Sequence, residues 1–227
     1  MRHHEQYFDK IAAAYIRGQL KETSPFFNLP IEELSTSNLQ TIFEFGKSQK
    51  LKLYPFKRTK GLPRVQEVLN FLKGIHPTNL LDIGTGRGAF LYPFLDQFPT
   101  VPVQCVDLLE QPINTLLAIQ QGGFPLLQAS TLTVTQLPYP DNSFQIVTAL
   151  EVLEHIEDLP TTFQEIVRVA SQWVICSMPS QEDDNEEHIH LFTEASIRDH
   201  FLRCGVQQVK INYVYEHIIV KAKLTGQ

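Results

Sequence analysis

The sequence predicts a three-layer α/β fold: a seven-stranded, mainly parallel sheet with one antiparallel strand, helices on both faces, and a helical segment in front. Three observations predict it. From about residue 62 onward, short apolar runs alternate with segments whose apolar residues recur at helical spacing, the pattern of a parallel sheet with helical crossovers. The last two apolar runs are separated only by Tyr215-Glu216, which leaves room for a hairpin and none for a crossover helix. The length, 227 residues with 43% hydrophobic side chains, suits one principal core with a small appendage.

The elements follow in order. Residues 1–60 are aromatic-rich and irregular and form the predicted N-terminal helical appendage, with YFDKIAAAYIRGQL as a first helix, SPFFNLP as a break, and one or two helices over IEELSTSNLQTIFEFGKSQ. Residues 61–227 form the predicted main domain. It opens on PRVQEVLNFLKG, a helix with Pro63 in its first turn, apolar Val65, Val68, Leu69 and Leu72 on one face, and Gly74 near its end. The runs NLLDIG, PVQCVDL, PLLQAS, FQIVTAL, WVICSMP, VQQVKINYV and HIIVKAKL read as strands. Between them GAFLYPFLDQF, QPINTLLAIQQG, LPTTFQEIVRVA and TEASIRDHFLRCG read as helices.

Composition narrows the function classes. A formal charge of −6 gives no global attraction for nucleic acid. Cys105, Cys176 and Cys204 lie far apart without CxxC or disulfide-framework spacing, which fits reduced thiols in a cytoplasmic compartment. No apolar run approaches membrane-spanning length.

The stretch LLDIGTGRGAF is a strand that turns through three glycines into a helix, a geometry that brings backbone N–H groups to a ligand. Gly84, Gly86 and Ala89 fit a dinucleotide loop, and Asp107 lies where a ribose-binding acid belongs. Asp82, two residues before the first glycine, favours S-adenosylmethionine instead: a carboxylate pairs with an ammonium and is unfavourable beside a pyrophosphate.

LLDIGTGRGAF, VQCVDL, LPYPDNSFQIVTALEVLEHI and HIHLFTEASIRDHFLRCGV, in that order, resemble class I S-adenosylmethionine-dependent methyltransferases over roughly residues 62 to 222. The resemblance implies the Rossmann-like methyltransferase sandwich and places the donor against Asp82, Gly84, Thr85, Gly86 and Gly88, with Asp107 on the ribose hydroxyls and Leu108, Ser130 and Leu150 lining the same site. Two positions depart from the family pattern: Ser130 stands near the usual place of an acid, and Gln145 replaces the usual Asp after Phe144.

TALEVLEHIEDL follows the fourth strand, at the edge where doubly wound sheets bind ligands. A helical turn after Leu150 would set Glu151, Glu154 and His155 on one face, with His188 and His190 approaching from the loop after the fifth strand. His155 and Glu151 are the expected catalytic residues, His155 as general base because imidazole accepts a proton near neutral pH. Glu151, Glu154, His155 and His190 resemble the divalent-metal set of RNA 3′-end 2′-O-methyltransferases and quinone-biosynthetic O-methyltransferases. Many relatives with Glu-His here use no metal, and no metal is the favoured expectation.

In the appendage Phe26, Phe27, Tyr54 and Phe56 accompany the cations Lys57, Arg58, Lys60 and Arg64. They read either as a lid over the cleft or, in preference, as core packing beside solvated charges. The predicted function is methyl transfer from S-adenosylmethionine to a small-molecule oxygen or nitrogen, ahead of carbon or sulfur, by in-line attack in which positioning supplies most of the catalysis. Three alternatives remain: a metal-assisted 2′-O-methyltransferase acting on an RNA 3′ end, a nicotinamide oxidoreductase, and a non-catalytic cofactor-binding partner.

Overall fold

The computed structural model describes residues 7–58, 61–182 and 184–224, so Lys60 of the cationic run lies outside the described residues. The strands are β1 (Leu80–Ile83), β2 (Val103–Asp107), β3 (Leu127–Thr131), β4 (Phe144–Leu150), β5 (Ala170–Pro179), β6 (Gln208–Val214) and β7 (His217–Lys223). They form one sheet in the order β3-β2-β1-β4-β5-β7-β6, in which β7 runs antiparallel to both neighbours. The order reverses between β1 and β4, and a crevice for ligands opens outside the carboxyl ends of the strands at such a reversal.

Strand side chains alternate between two cores, as the two-residue period requires. Leu80, Cys105, Ile146 and Ile175 enter one core with helices α3 (Pro63–Ile75), α4 (Leu91–Gln97) and α5 (Glu110–Gln121). Leu81, Val106, Val147 and Val174 enter the other with α6 (Leu159–Val169) and α7 (Glu194–Arg203). Among the described residues no helix is long and apolar enough to cross a membrane.

The N-terminal segment contributes α1 (Asp9–Leu20) and α2 (Thr36–Ser48), and α1 lies directly on α5 within the first core. Small residues permit this contact. A Cβ at Gly18 would run into the Ala118 carbonyl, and one at Gly122 into the Ala14 carbonyl, so the two backbones meet with nothing between them. Buried Arg17 donates to the carbonyls of Phe27 and Leu29, which staples the SPFFNLP turn to α1. Ser35 opens α2 with a capping box to Asn38.

One expected element differs. Between the end of β4 and the start of α6, residues 151–158 form only a 3₁₀ turn at Leu153–His155, and Glu151 stands outside it with φ 58°. Its N–H donates to the Ser177 carbonyl at 2.9 Å, which extends the β4–β5 pairing by one residue and withdraws Glu151 from any helical face.

Candidate active site

The sheet reversal brings β1, β2 and β4 to a common edge, and their last residues build the first half of the site. Asp82 ends up 3% exposed because its strand lies between β2 and β4. Its Oδ1 accepts a hydrogen bond from Thr148 Oγ1 on β4 at 2.7 Å. Burial pushes the Asp82 carboxyl up to about 6; the Thr148 bond opposes that rise, and the Asp107 charge adds to it. Among the described residues no cationic side chain forms an ion pair with Asp82, so this carboxylate has a hydroxyl donor and no counter-charge.

The loop after β1 carries Gly84, Gly86 and Gly88 at φ 65°, 50° and 76°. Gly84 is required twice over, by that left-handed backbone and because any Cβ there would strike the Val152 side chain. Asp107 anchors the loop from the end of β2: its Oδ2 accepts the Gly86 N–H and its Oδ1 the Leu109 N–H, each at 2.9 Å. Beyond it Leu108 and Leu109 are 73% and 65% exposed, an apolar surface beside an acid. Ser130 pairs with β2 at Val106 and sits 3.5 Å from the Gln104 amide, and Leu150 closes β4 opposite Ser177. A buried carboxylate, a glycine turn open to close approach, a second acid and exposed leucines suit an ammonium, a ribose and a planar base in turn. These residues fit S-adenosylmethionine.

Gln145, where the sequence departs from the family, is remote from this edge. It sits at the other end of β4, accepts from the Thr78 backbone N–H at 2.6 Å and donates to Gln172.

The second half of the site divides the residues that the sequence grouped together. Glu154 is fully buried, and its ligand atoms lie within 4.8 Å of those of His155 and His188, a set able to hold a metal ion. Several contacts tie the two chain segments together. The Glu154 carbonyl accepts the N–H groups of Ile189 and His190, and His155 Nδ1 lies 2.9 Å from the Glu187 carbonyl. His190 is directed elsewhere, with Nε2 at 2.8 Å from the Ile156 carbonyl. Glu151 is directed elsewhere too: it accepts from Ser177 Oγ at 2.6 Å, approaches Arg64 Nε at 3.7 Å and lies 3.0 Å from His217 Nε2. Neither hydrogen bond nor ion pair joins Glu151 to His155, and the two expected catalytic residues are held by separate sets of contacts. The left-handed backbone of Glu151 costs about 1–2 kcal/mol and is held by these contacts.

Thr148, Ser177 and His217 carried no signal in the sequence. The first two sit inside apolar strand runs, and His217 follows a hairpin far along the chain. Of the appendage aromatics, Phe56 packs between Tyr15 and Tyr92 in the core, whereas Tyr54 is 72% exposed. Tyr54, Lys57, Arg58 and Arg87 border a 670 Å³ cavity on the outer side of the glycine loop, and Arg58 pairs there with Asp96 at 3.0 Å.

The strand order with β7 antiparallel, the glycine turn after β1 and the acid at the end of β2 define the Rossmann-like methyltransferase class of fold. Comparison with known proteins agrees. Residues 81–175 match the family described as “Methyltransferase domain”. It is 32% identical over 100 residues to the malonyl-[acyl-carrier protein] O-methyltransferase of Halorhodospira halophila, covering 43% of this chain and 32% of that protein. It is 29% identical over 99 residues to ajmaline N-methyltransferase of Rauvolfia serpentina, covering 42% and 33%. The chain thus spans about a third of the length of these curated relatives. The structure of Burkholderia thailandensis 1,6-didemethyltoxoflavin-N1-methyltransferase, with bound 1,6-didemethyltoxoflavin and S-adenosylhomocysteine, superposes with a TM-score of 0.61 at 20% identity, covering 82% of this chain and 87% of that one.

Proposed function

We propose that the protein transfers a methyl group from S-adenosylmethionine to a small molecule, with oxygen or nitrogen as the accepting atom. The observation that carries the reading is Asp82: a buried carboxylate held by the Thr148 hydroxyl and with no ion-pair partner among the described residues, at the mouth of the glycine turn. Asp82 would take the ammonium of the donor, the backbone of Gly84, Thr85, Gly86 and Gly88 its methionine part, and Asp107 the ribose hydroxyls, with Leu108, Ser130 and Leu150 lining the remainder. When bound, S-adenosylmethionine supplies an electrophilic sulfonium methyl. The chain's own task is to hold an acceptor in line with that methyl and to remove its proton. Relatives named for O- and for N-methylation support acceptors of both kinds.

The test is transfer of radiolabelled methyl from S-adenosylmethionine to a panel of phenols, carboxylic acids and amines. Label in a small-molecule product supports the reading. Tight binding of S-adenosylhomocysteine with no labelled product across the panel favours a non-catalytic cofactor-binding partner.

A second reading, metal-assisted transfer, draws support from the Glu154, His155 and His188 cluster, which lacks Glu151 and His190 of the set the sequence suggested and takes in His188. A metal there would lower the pKa of an acceptor hydroxyl. It predicts that a chelator stops turnover and that Glu154→Gln does the same; full turnover in chelator removes it.

A further inference from the structure

We infer that His217, rather than His155, takes the proton from the accepting atom, and that Glu151 holds and polarises its ring. The inference rests on the methyl-transfer reading and assigns it a base. Glu151 follows Leu150 at the end of β4 and precedes Val152, whose side chain abuts Gly84, so its backbone lies at the carboxyl edge of the sheet next to the residue that packs on the glycine turn. Because β7 runs antiparallel, its first residue, His217, pairs with Pro179 at the same carboxyl edge of the sheet. Glu151 is fixed there by Ser177 through both its backbone and its Oε1, and Arg64 faces the same oxygen.

The chemistry follows from the donor inventory. An ionised carboxylate only accepts, so the 3.0 Å contact between Glu151 Oε2 and His217 Nε2 places the ring hydrogen on Nε2. A neutral ring so held keeps its lone pair on Nδ1, and the side chain is 24% exposed, which leaves that edge reachable. This is a base oriented by a carboxylate behind it, the arrangement in which the imidazolium formed on proton uptake is stabilised by a neighbouring charge. His155 Nδ1 lies against the Glu187 carbonyl, and the carboxylate near its ring is that of Glu154, which is shared with His188 in the candidate metal cluster. In the step, the lone pair of the accepting atom forms a bond to the methyl carbon as the carbon–sulfur bond breaks. The electron pair of that bond stays on sulfur to give S-adenosylhomocysteine. The acceptor's proton passes to His217 Nδ1 and later to water.

Two measurements test this. Two-bond ¹H–¹⁵N spectra of histidine-labelled protein with S-adenosylhomocysteine present should show neutral His217 as the Nε2–H tautomer, and Glu151→Gln should release it to a tautomer mixture. Observation of the Nδ1–H tautomer in the unmutated protein overturns the proposal. In parallel, methyl transfer is compared for phenol, which must lose a proton, and for 4-nitrobenzenethiolate, which is already ionised at neutral pH. His217→Gln should lower kcat for phenol about 100-fold or more while leaving KM for the donor and the thiolate reaction nearly unchanged. Equal losses for both acceptors, or no loss for phenol, overturn it. A calorimetric titration with S-adenosylhomocysteine separates the two failures. Absence of binding overturns methyl transfer and this proposal together, whereas binding with the wrong tautomer overturns this proposal alone.

Discussion

Asp82 is where the physical chemistry of single residues is most exposed. Its carboxyl is raised to about 6 because burial penalises the charge. The sign of the consequence is fixed by linkage. A group whose folded pKa exceeds its unfolded value of 3.8 binds its proton more tightly in the folded chain, so its contribution to stability is full below pH 3.8 and is lost as pH rises through about 6. The Asp82 contribution to the stability of the ligand-free protein should therefore fall between pH 4 and 6 by up to about 3 kcal/mol, read as the change with pH in the difference between the urea unfolding free energies of the unmutated protein and Asp82→Asn. Binding has the opposite slope, because the ammonium of the ligand needs the ionised carboxylate. The affinity for S-adenosylhomocysteine should drop by up to about tenfold per pH unit below 6, and Asp82→Asn should lose both the slope and at least about tenfold in affinity at neutral pH. Thr148→Val removes the hydroxyl donor on β4 and should shift the midpoint of that pH dependence upward.

At the scale of elements, two joints decide whether the site exists. The glycine turn is one: Gly84→Ala meets both a left-handed backbone and the Val152 side chain, so ligand affinity should fall even where the protein stays folded, as titration of the purified variant would show. The α1–α5 contact is the other. Gly18→Val drives a side chain into the Ala118 carbonyl and should cost about 1–3 kcal/mol, read as a lower urea midpoint. These joints also mark what the sequence revealed. The seven strands were legible because each is a short apolar run bounded by polar turns, and the hairpin was legible because Tyr215-Glu216 admits nothing longer. Docking of α1 was not legible, since Ala and Gly announce no face until a partner backbone arrives. Nor was the course of Glu151, where bonds to Ser177 and His217 from distant strands override a locally helical spacing. Asp82, the glycines and Asp107 were legible in their order, whereas Thr148 was hidden among apolar neighbours.

For the whole molecule, the sheet reversal gathers at one edge residues that are up to 135 positions apart, from Asp82 to His217. The N-terminal helices share a core with the sheet, and a single cooperative unfolding transition is the expected outcome. A ligand that binds only the folded state should then raise the unfolding temperature of the entire chain, by an amount that grows with the logarithm of its concentration. The central claim is that the edge formed by β1, β2 and β4 receives S-adenosylmethionine and not a dinucleotide. Its most direct test is calorimetric titration of the purified chain with S-adenosylhomocysteine at neutral pH, with NADH in a parallel cell. Saturable binding of S-adenosylhomocysteine alone, lost in Asp82→Ala, is the predicted result; binding of NADH alone would contradict the account and make the glycine turn a dinucleotide site.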